Sequence, residues 1–419
     1  MSGPGAISLS QAQLLDWLRL IRSENVGPRT FHQLVNRYGG ATAALDALPA
    51  LVAERLGGRA IRLADRTEVE RELEAAQKMG VRFVASCDSD YPPLLREIED
   101  APPLLALRGD AAALKRSCVA IVGARNASSA GLAFAQQLAR ALLREDYAIV
   151  SGLARGVDAA AHRASLGAGA VAVLAGGHAR PYPSENVELL AQIVDAGGAA
   201  ISEMPLDWEP RGRDFPRRNR LVSGVSRGVV VVEAARRSGS LITARFAAEQ
   251  GREVLAVPGS PLDPRAEGTN DLLREGATLC AGAEDVTRAL SAARRAPRPG
   301  ADLFQDGGRL REQEEPLFDE LDLFSLQQSP GSFPPPLPEP LWAPPETAPA
   351  PPPPALAVDA RETLLSLLSP TPVSLDELIR ASGLSAREVR GALFDLDLEG
   401  RLERHGGALV SLLAKPPRD

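Results

Sequence analysis

The sequence predicts an α/β protein: an extended parallel-sheet domain, preceded by a small all-α domain and followed by a three-helix domain with a β-wing. Three observations predict it. Short apolar runs alternate with helix-period segments between residues 81 and 295. Residues 1–80 carry helical periodicity alone. A second folded stretch, 358–415, follows a proline-rich interval at 296–357.

In the first segment Leu14, Leu15, Trp17, Leu18 and Ile21 share one helical face, and Phe31, Leu34, Val35 and Tyr38 another. Asn25-Val26-Gly27-Pro28 separates them as a tight turn. The turn resembles those of helix-hairpin-helix and SAM-like modules, and it suits either contact with a DNA backbone or plain packing of two helices. From Val81 the period changes. β-rich runs at Val81–Ala85, Leu104–Leu107, Cys118–Val122, Ala148–Val150, Ala170–Leu174, Val229–Val232 and Val254–Val257 alternate with helical stretches such as Leu132–Leu143 and Ala244–Gln250. Most runs are apolar throughout, the pattern of parallel strands covered on both faces.

Residues 296–357 carry ten Asp or Glu against three Arg, then thirteen prolines between Pro330 and Pro354. Such a segment buries too little to fold, so a solvated spacer is expected. Its acidic part, with Leu317, Phe318, Leu321, Leu323 and Phe324, could instead dock as an amphipathic peptide. In 358–415, Ser385 is placed to cap the third helix, and a hairpin turns at Gly406-Gly407, which together describe a winged helix. That helix carries Arg387 and Arg390 but also Glu388, Asp395, Asp397 and Glu399, so protein contact is expected there rather than groove reading.

Net charge is −7, which at first argues against nucleic acid. The spacer alone accounts for −7, while residues 115–295 hold 23 Lys or Arg against 19 Asp or Glu. A local basic groove is therefore allowed. Cys87, Cys118 and Cys280 are isolated and read as buried apolar fillers in a reducing cytosol. The four histidines show no zinc-ligand spacing, no export signal is evident, and no apolar run nears the ~20 residues that span a bilayer. The expectation is a cytoplasmic protein with no metal, no cofactor and no membrane partner.

Three strand–turn–helix junctions carry the functional signal. The first, Ile121-Val122-Gly123-Ala124-Arg125, offers Gly123 for close backbone approach, Arg125 to fork a phosphate, and Ser128 to cap the next helix. The second, Val150 to Asp158, repeats the pattern with Arg155. The third, Ser238-Gly239-Ser240, supplies hydroxyls and free N–H groups. In an open parallel sheet all three face one crevice beyond the strands' carboxyl ends. Just before the third lie Phe215, Arg217, Arg218, Asn219 and Arg220, either a solvated loop or a cluster neutralised by anions or acids. Glu233 could be a catalytic carboxylate, but bracing Arg218 or Arg220 is the preferred reading. His162 is expected to pack or cap. No G-x-G-x-x-G or Walker lysine motif is present, and no nucleophile sits beside a base, so no catalytic residue is assigned.

In order along the chain run VAIVGAR-x-x-S (Val119–Ser128), VSGLARGVDAAAH (Val150–His162), AVLAGG (Ala172–Gly177), YPSEN (Tyr182–Asn186), ISEMP (Ile201–Pro205), FPRRNRLVSG, VVVVEAARRSGSLITA and REVLAVPG. This series resembles the DNA-processing protein DprA (Smf) family over about Tyr91 to Leu290. The resemblance implies an extended Rossmann-like domain that binds single-stranded DNA, forms a homodimer and helps load the RecA recombinase during natural transformation. It implies DNA contacts from Arg125, framed by Gly123 and Ser128, with Arg155 and the 217–220 arginines extending the site and Phe215 stacking on a base. Two positions depart from the family pattern: Ala124, where Ser or Thr is usual, and Ala179, where Asp is common. The alternative is a nucleotide phosphoribohydrolase-like enzyme or a small-nucleotide sensor on the same fold, although the paired glycines of the former are missing.

Overall fold

The computed structural model describes residues 8–55, 60–167 and 169–293, with isolated positions and three short strands between 364 and 412. The expected spacer at 296–357 lies outside the described residues. Two compact units result, residues 1–330 and 331–419.

The first unit is built on nine strands: β1 (Val81–Ala85), β2 (Leu104–Gly109), β3 (Ser117–Gly123), β4 (Tyr147–Ser151), β5 (Ala170–Val173), β6 (Ala199–Ser202), β7 (Gly228–Val232), β8 (Glu253–Ala256) and β9 (Thr278–Leu279). Their order is β1-β2-β6-β5-β4-β3-β7-β8-β9. From β6 to β9 all neighbours are parallel, whereas β2 pairs antiparallel with both β1 and β6. The sheet is thus parallel with an antiparallel edge, the mixed form of an extended doubly wound fold. Two strands escape sequence reading: β6 is half alanine, which favours strands little, and β9 is too short to show a period.

Successive residues of β3 divide between two cores. Val119 and Ile121 join Leu138, Leu142 and Leu255 on one face, while Ala120 and Val122 join Val150, Val171 and Val231 on the other. Every residue of β7 is buried. Each fully buried Val or Ile contributes about 1.5–3 kcal/mol, which makes this double-faced burial the main stabiliser of the unit. Strand order reverses between β3 and β7, opening a crevice at their carboxyl ends.

Four helices, Gln11–Arg22, Pro28–Tyr38, Ala41–Arg55 and Arg66–Lys78, precede the sheet. Ser10 and Gln13 form a capping box at the first. Leu20, Phe31, Leu34 and Leu48 fill their core. The turn at Asn25–Pro28 packs rather than projects: Val26, Gly27 and Pro28 are buried, and the following helix places His32 Nε2 3.0 Å from the Ala101 carbonyl. Arg22 pairs with Glu72 at 3.0 Å and also donates to the Glu203 carbonyl at 3.2 Å, tying the helices to the end of β6.

In the second unit β10 (Val373–Ser374), β11 (Leu402–His405) and β12 (Leu409–Leu412) form a sheet in the order β10-β12-β11. The β11–β12 hairpin is the wing expected from Gly406-Gly407. Ser385 caps as expected: its hydroxyl accepts from the Glu388 N–H, and its own N–H donates back to Glu388 Oε2 at 2.8 Å. Of the charged residues expected on a third helix, only Glu388 falls within the described residues.

Cys118 and Cys280 are buried as expected, but Cys87 is exposed, because it lies in the turn after β1. Among the described residues no helix is long and apolar enough to cross a membrane, and no cluster of His, Cys, Asp or Glu could hold a metal ion.

Candidate nucleic-acid interface

The carboxyl ends of β3 and β4 each lead through a short loop into a helix, Ser129–Arg144 and Val157–Ala164. The β3 loop carries Arg125 into solvent. Gly123 sits against the Val232 carbonyl and 2.8 Å (from the position of an added Cβ) from Val157 Cγ2, so its missing side chain serves strand crowding rather than a ligand. Ser128 caps its helix, its hydroxyl accepting from the Gly131 N–H at 3.0 Å. The β4 loop is held from inside. Asp158 accepts from the Gly152 and Ala154 N–H groups at 3.1 and 3.3 Å, and Asn186 Nδ2 donates to the Leu153 carbonyl at 2.9 Å. Leu153 takes a left-handed backbone, φ +57°, a strain typical of binding loops. Burial raises the Asp158 carboxyl, with the Arg218 charge opposing.

The segment from Phe215 to Arg220 is not a loop but the first turns of a helix, Asp214–Gly224. Asp214 accepts from the Arg211 N–H and the Trp208 indole, both at 2.8 Å, and Pro216 suits a first turn, where its missing N–H has no partner to lose. At about 100° per residue, the helix sends its arginines to different places. Arg218 is buried; it donates to the Gly152 carbonyl, and to the Val173 carbonyl at 2.9 Å, so it bridges the ends of β4 and β5. Burial pulls its guanidinium down to about 10, with the Arg125 charge adding to the shift. Arg217 is partly buried 3.9 Å from Asp214, and desolvation lowers it as well.

Arg220 corrects an expectation. It is fully buried, pairs with Glu203 and, at 3.3 Å, with Asp100, and donates to the Asp100 carbonyl. With no surface left it has no route to a phosphate; it is a structural cation.

Arg125, Arg155, Phe215 and Arg218 do converge on one tight pocket, together with Gly152, Ala154, Tyr182 and Pro183. The Arg125 guanidinium lies 5.5 Å from the centre of the Phe215 ring. Tyr182, half exposed, meets the same ring edge-on at 5.5 Å. Arg155 reaches Glu185 at 3.6 Å, both side chains well exposed. Among the described residues no carboxylate pairs with Arg125. The sequence reading places Tyr182 in the YPSEN motif but gives it no site role; the available signal was that motif and the scarcity of aromatics, 4% of the chain.

The third junction stands apart from the pocket lining. Ser238 caps the Gly239–Glu249 helix, and its hydroxyl lies 2.7 Å from that of Ser240. Asn219 donates to the Gly239 carbonyl at 3.1 Å and also accepts from Arg218 Nε at 3.2 Å, so it links this junction to the pocket's inner wall. Glu233 braces neither Arg218 nor Arg220. Its carboxylate instead takes the Ser128 N–H at 2.8 Å and the Ser128 hydroxyl.

His162 is wholly buried, and burial pushes it down to about 4, so it is a neutral packing group. The pocket therefore offers cations and aromatic faces rather than a nucleophile and a base. Such a set suits a polyanion bearing flat rings.

The DNA recombination-mediator protein A family model matches residues 82–291. A DprA-like N-terminal HHH domain matches 11–75, and a DprA winged helix domain matches 347–408. The chain is 41% identical to Protein Smf of Escherichia coli over 53% of its own length and 60% of that protein's, so it spans less than two thirds of that relative. It is 40% identical to DNA processing protein DprA of Bacillus subtilis, over 52% of this chain and 74% of that one. The X-ray structure of DprA from Streptococcus pneumoniae superposes with a TM-score of 0.56 at 32% identity, covering 67% of this chain and 98% of that one. The chain belongs to the DNA recombination-mediator protein A (DprA/Smf) family.

Proposed function

We propose that this chain binds single-stranded DNA and acts in DNA processing during natural transformation, protecting the strand and helping to load RecA. The observation that carries the reading is Arg125, exposed over the Phe215 ring at a pocket backed by Arg218. A phosphate would meet the Arg125 guanidinium, and a base would rest on Phe215 or Tyr182 for about 1–3 kcal/mol. Backbone charge dominates such binding, and little base-specific readout is expected. Arg155 extends the cationic edge. Gly123, Ser128, Asn219, Ser238, Gly239 and Ser240 shape the loops around it, and Arg217 acts through long-range charge.

Membership of the family supports the remaining parts of the reading: a cytoplasmic homodimer that performs no catalysis of its own and takes no cofactor. It also supports a division into a helical domain at 1–80, a sheet domain at 81–295, a spacer at 296–357 and a winged helix at 358–415.

The decisive test is a gel-shift titration with oligo-dT. Arg125→Ala is expected to weaken binding at least about tenfold and to lower the salt slope by about 0.7 for each phosphate no longer neutralised. Unaltered affinity would sink the assignment. Displacement of the oligonucleotide by a mononucleotide would instead favour a nucleotide sensor, and release of free base a phosphoribohydrolase.

A further inference from the structure

We infer that Glu233 is a positioning residue for Arg125, an inference that rests on reading the pocket as a single-strand site. Glu233 directly follows β7, in the crevice where strand order reverses. Both of its carboxylate oxygens are committed to Ser128, one to the backbone N–H at 2.8 Å and one to the hydroxyl. Ser128 also caps the Ser129–Arg144 helix, so the carboxylate lies at that helix's positive end. The fit is close: a Cβ on Gly131 would lie 2.6 Å from Glu233 Cδ.

Glu233 holds this place with a left-handed backbone, φ +52°. A non-glycine residue there is strained and persists only where its surroundings demand it. The other end of the loop is fixed as well, since the Val157 N–H donates to the Ala124 carbonyl at 3.2 Å. Arg125 thus stands between two anchored residues, Ala124 and Ser128. The carboxylate also fills the crevice in which doubly wound folds seat a phosphate, while the cationic pocket opens over β4 and β5.

Charge and geometry predict opposite signs. By charge alone, removing a carboxylate beside a polyanion site strengthens binding. If Glu233 positions Arg125, removing it weakens binding. The full-length chain is titrated with fluorescent oligo-dT across a salt series, as wild type, Glu233→Ala, Glu233→Gln, Arg125→Ala and the Glu233→Ala/Arg125→Ala double variant. Glu233→Ala is expected to lower affinity about tenfold, the worth of one charge-assisted hydrogen bond, and to lower the salt slope by about 0.7, as Arg125→Ala does. The double variant should bind no more weakly than Arg125→Ala, and Gln, which can still accept from the Ser128 N–H, should recover part of the loss. Should Glu233→Ala fail to fold, Ser128→Ala removes the hydroxyl link together with the helix cap, and the same comparison with Arg125→Ala applies. Wild-type or tighter binding by a folded Glu233→Ala, or additive losses in the double variant, overturns this inference alone. Arg125→Ala without effect overturns the pocket reading and this inference together.

Discussion

The carbonyl of Gly152 accepts a hydrogen bond from the Arg218 guanidinium, and the bond exists because Gly152 has no side chain. A Cβ built there would stand 2.7 Å from Arg218 Nη2 and closer to the rest of the group. Gly152→Ala must therefore displace the buried cation or the loop that carries it. Overpacking of this kind costs about 1–3 kcal/mol. Oligo-dT affinity, read by anisotropy, should fall several-fold alongside a lowered melting temperature. Full affinity in the variant would separate Arg218 from the pocket's function.

The Arg220–Glu203–Asp100 group predicts a different outcome for a residue two positions along. Burial raises the Glu203 carboxyl while Arg220 opposes that shift, so neither charge tolerates losing the other. Removing one partner of a buried pair costs about 3–5 kcal/mol, whereas removing both is far milder. Urea unfolding should show Arg220→Met strongly destabilised and Arg220→Met/Glu203→Leu largely restored. A stable Arg220→Met that no longer binds oligonucleotide would return Arg220 to the proposed DNA site.

Stability should also depend on His162. Its ordinary value of 6.5 falls to about 4 on burial. Above 6.5 the ring is neutral both folded and unfolded, and the native state keeps its full advantage. As pH falls from 6.5 towards 4 the unfolded chain takes up a proton that the folded chain refuses, and stability is lost through that window. His178 behaves alike, also near 4, while Asp158 and Glu203, raised by burial, act in the opposite sense. A difference measurement isolates the effect: His162→Leu should show a shallower loss of stability than wild type between about pH 6.5 and 4. Identical slopes in urea melts would place the His162 ring in contact with solvent.

Much of this is legible in the chain itself. Val229–Val232 announces a strand buried on both faces, and the Gly and Ser residues after it announce a helix start. Arg125, Arg155 and Phe215 can be brought to one rim because parallel strands place all their carboxyl ends together. What is not legible depends on rotation within one helix. Phe215-Pro216-Arg217-Arg218-Asn219-Arg220 reads as a uniform basic patch, yet two turns of helix send Arg218 beneath the pocket and Arg220 into an acidic niche formed by residues far away in sequence. Nor can spacing show that Glu233 finds Ser128, since the two stand 105 positions apart in the chain.

The bond from Arg22 to the Glu203 carbonyl extends the reach of that niche. Glu203 grips Arg220, and Arg220 belongs to the same rigid rod whose leading end presents Phe215. Docking of the amino-terminal helices and seating of the aromatic ring are thus mechanically joined, so a partner that pries those helices loose would unsettle the pocket's aromatic wall without ever touching it.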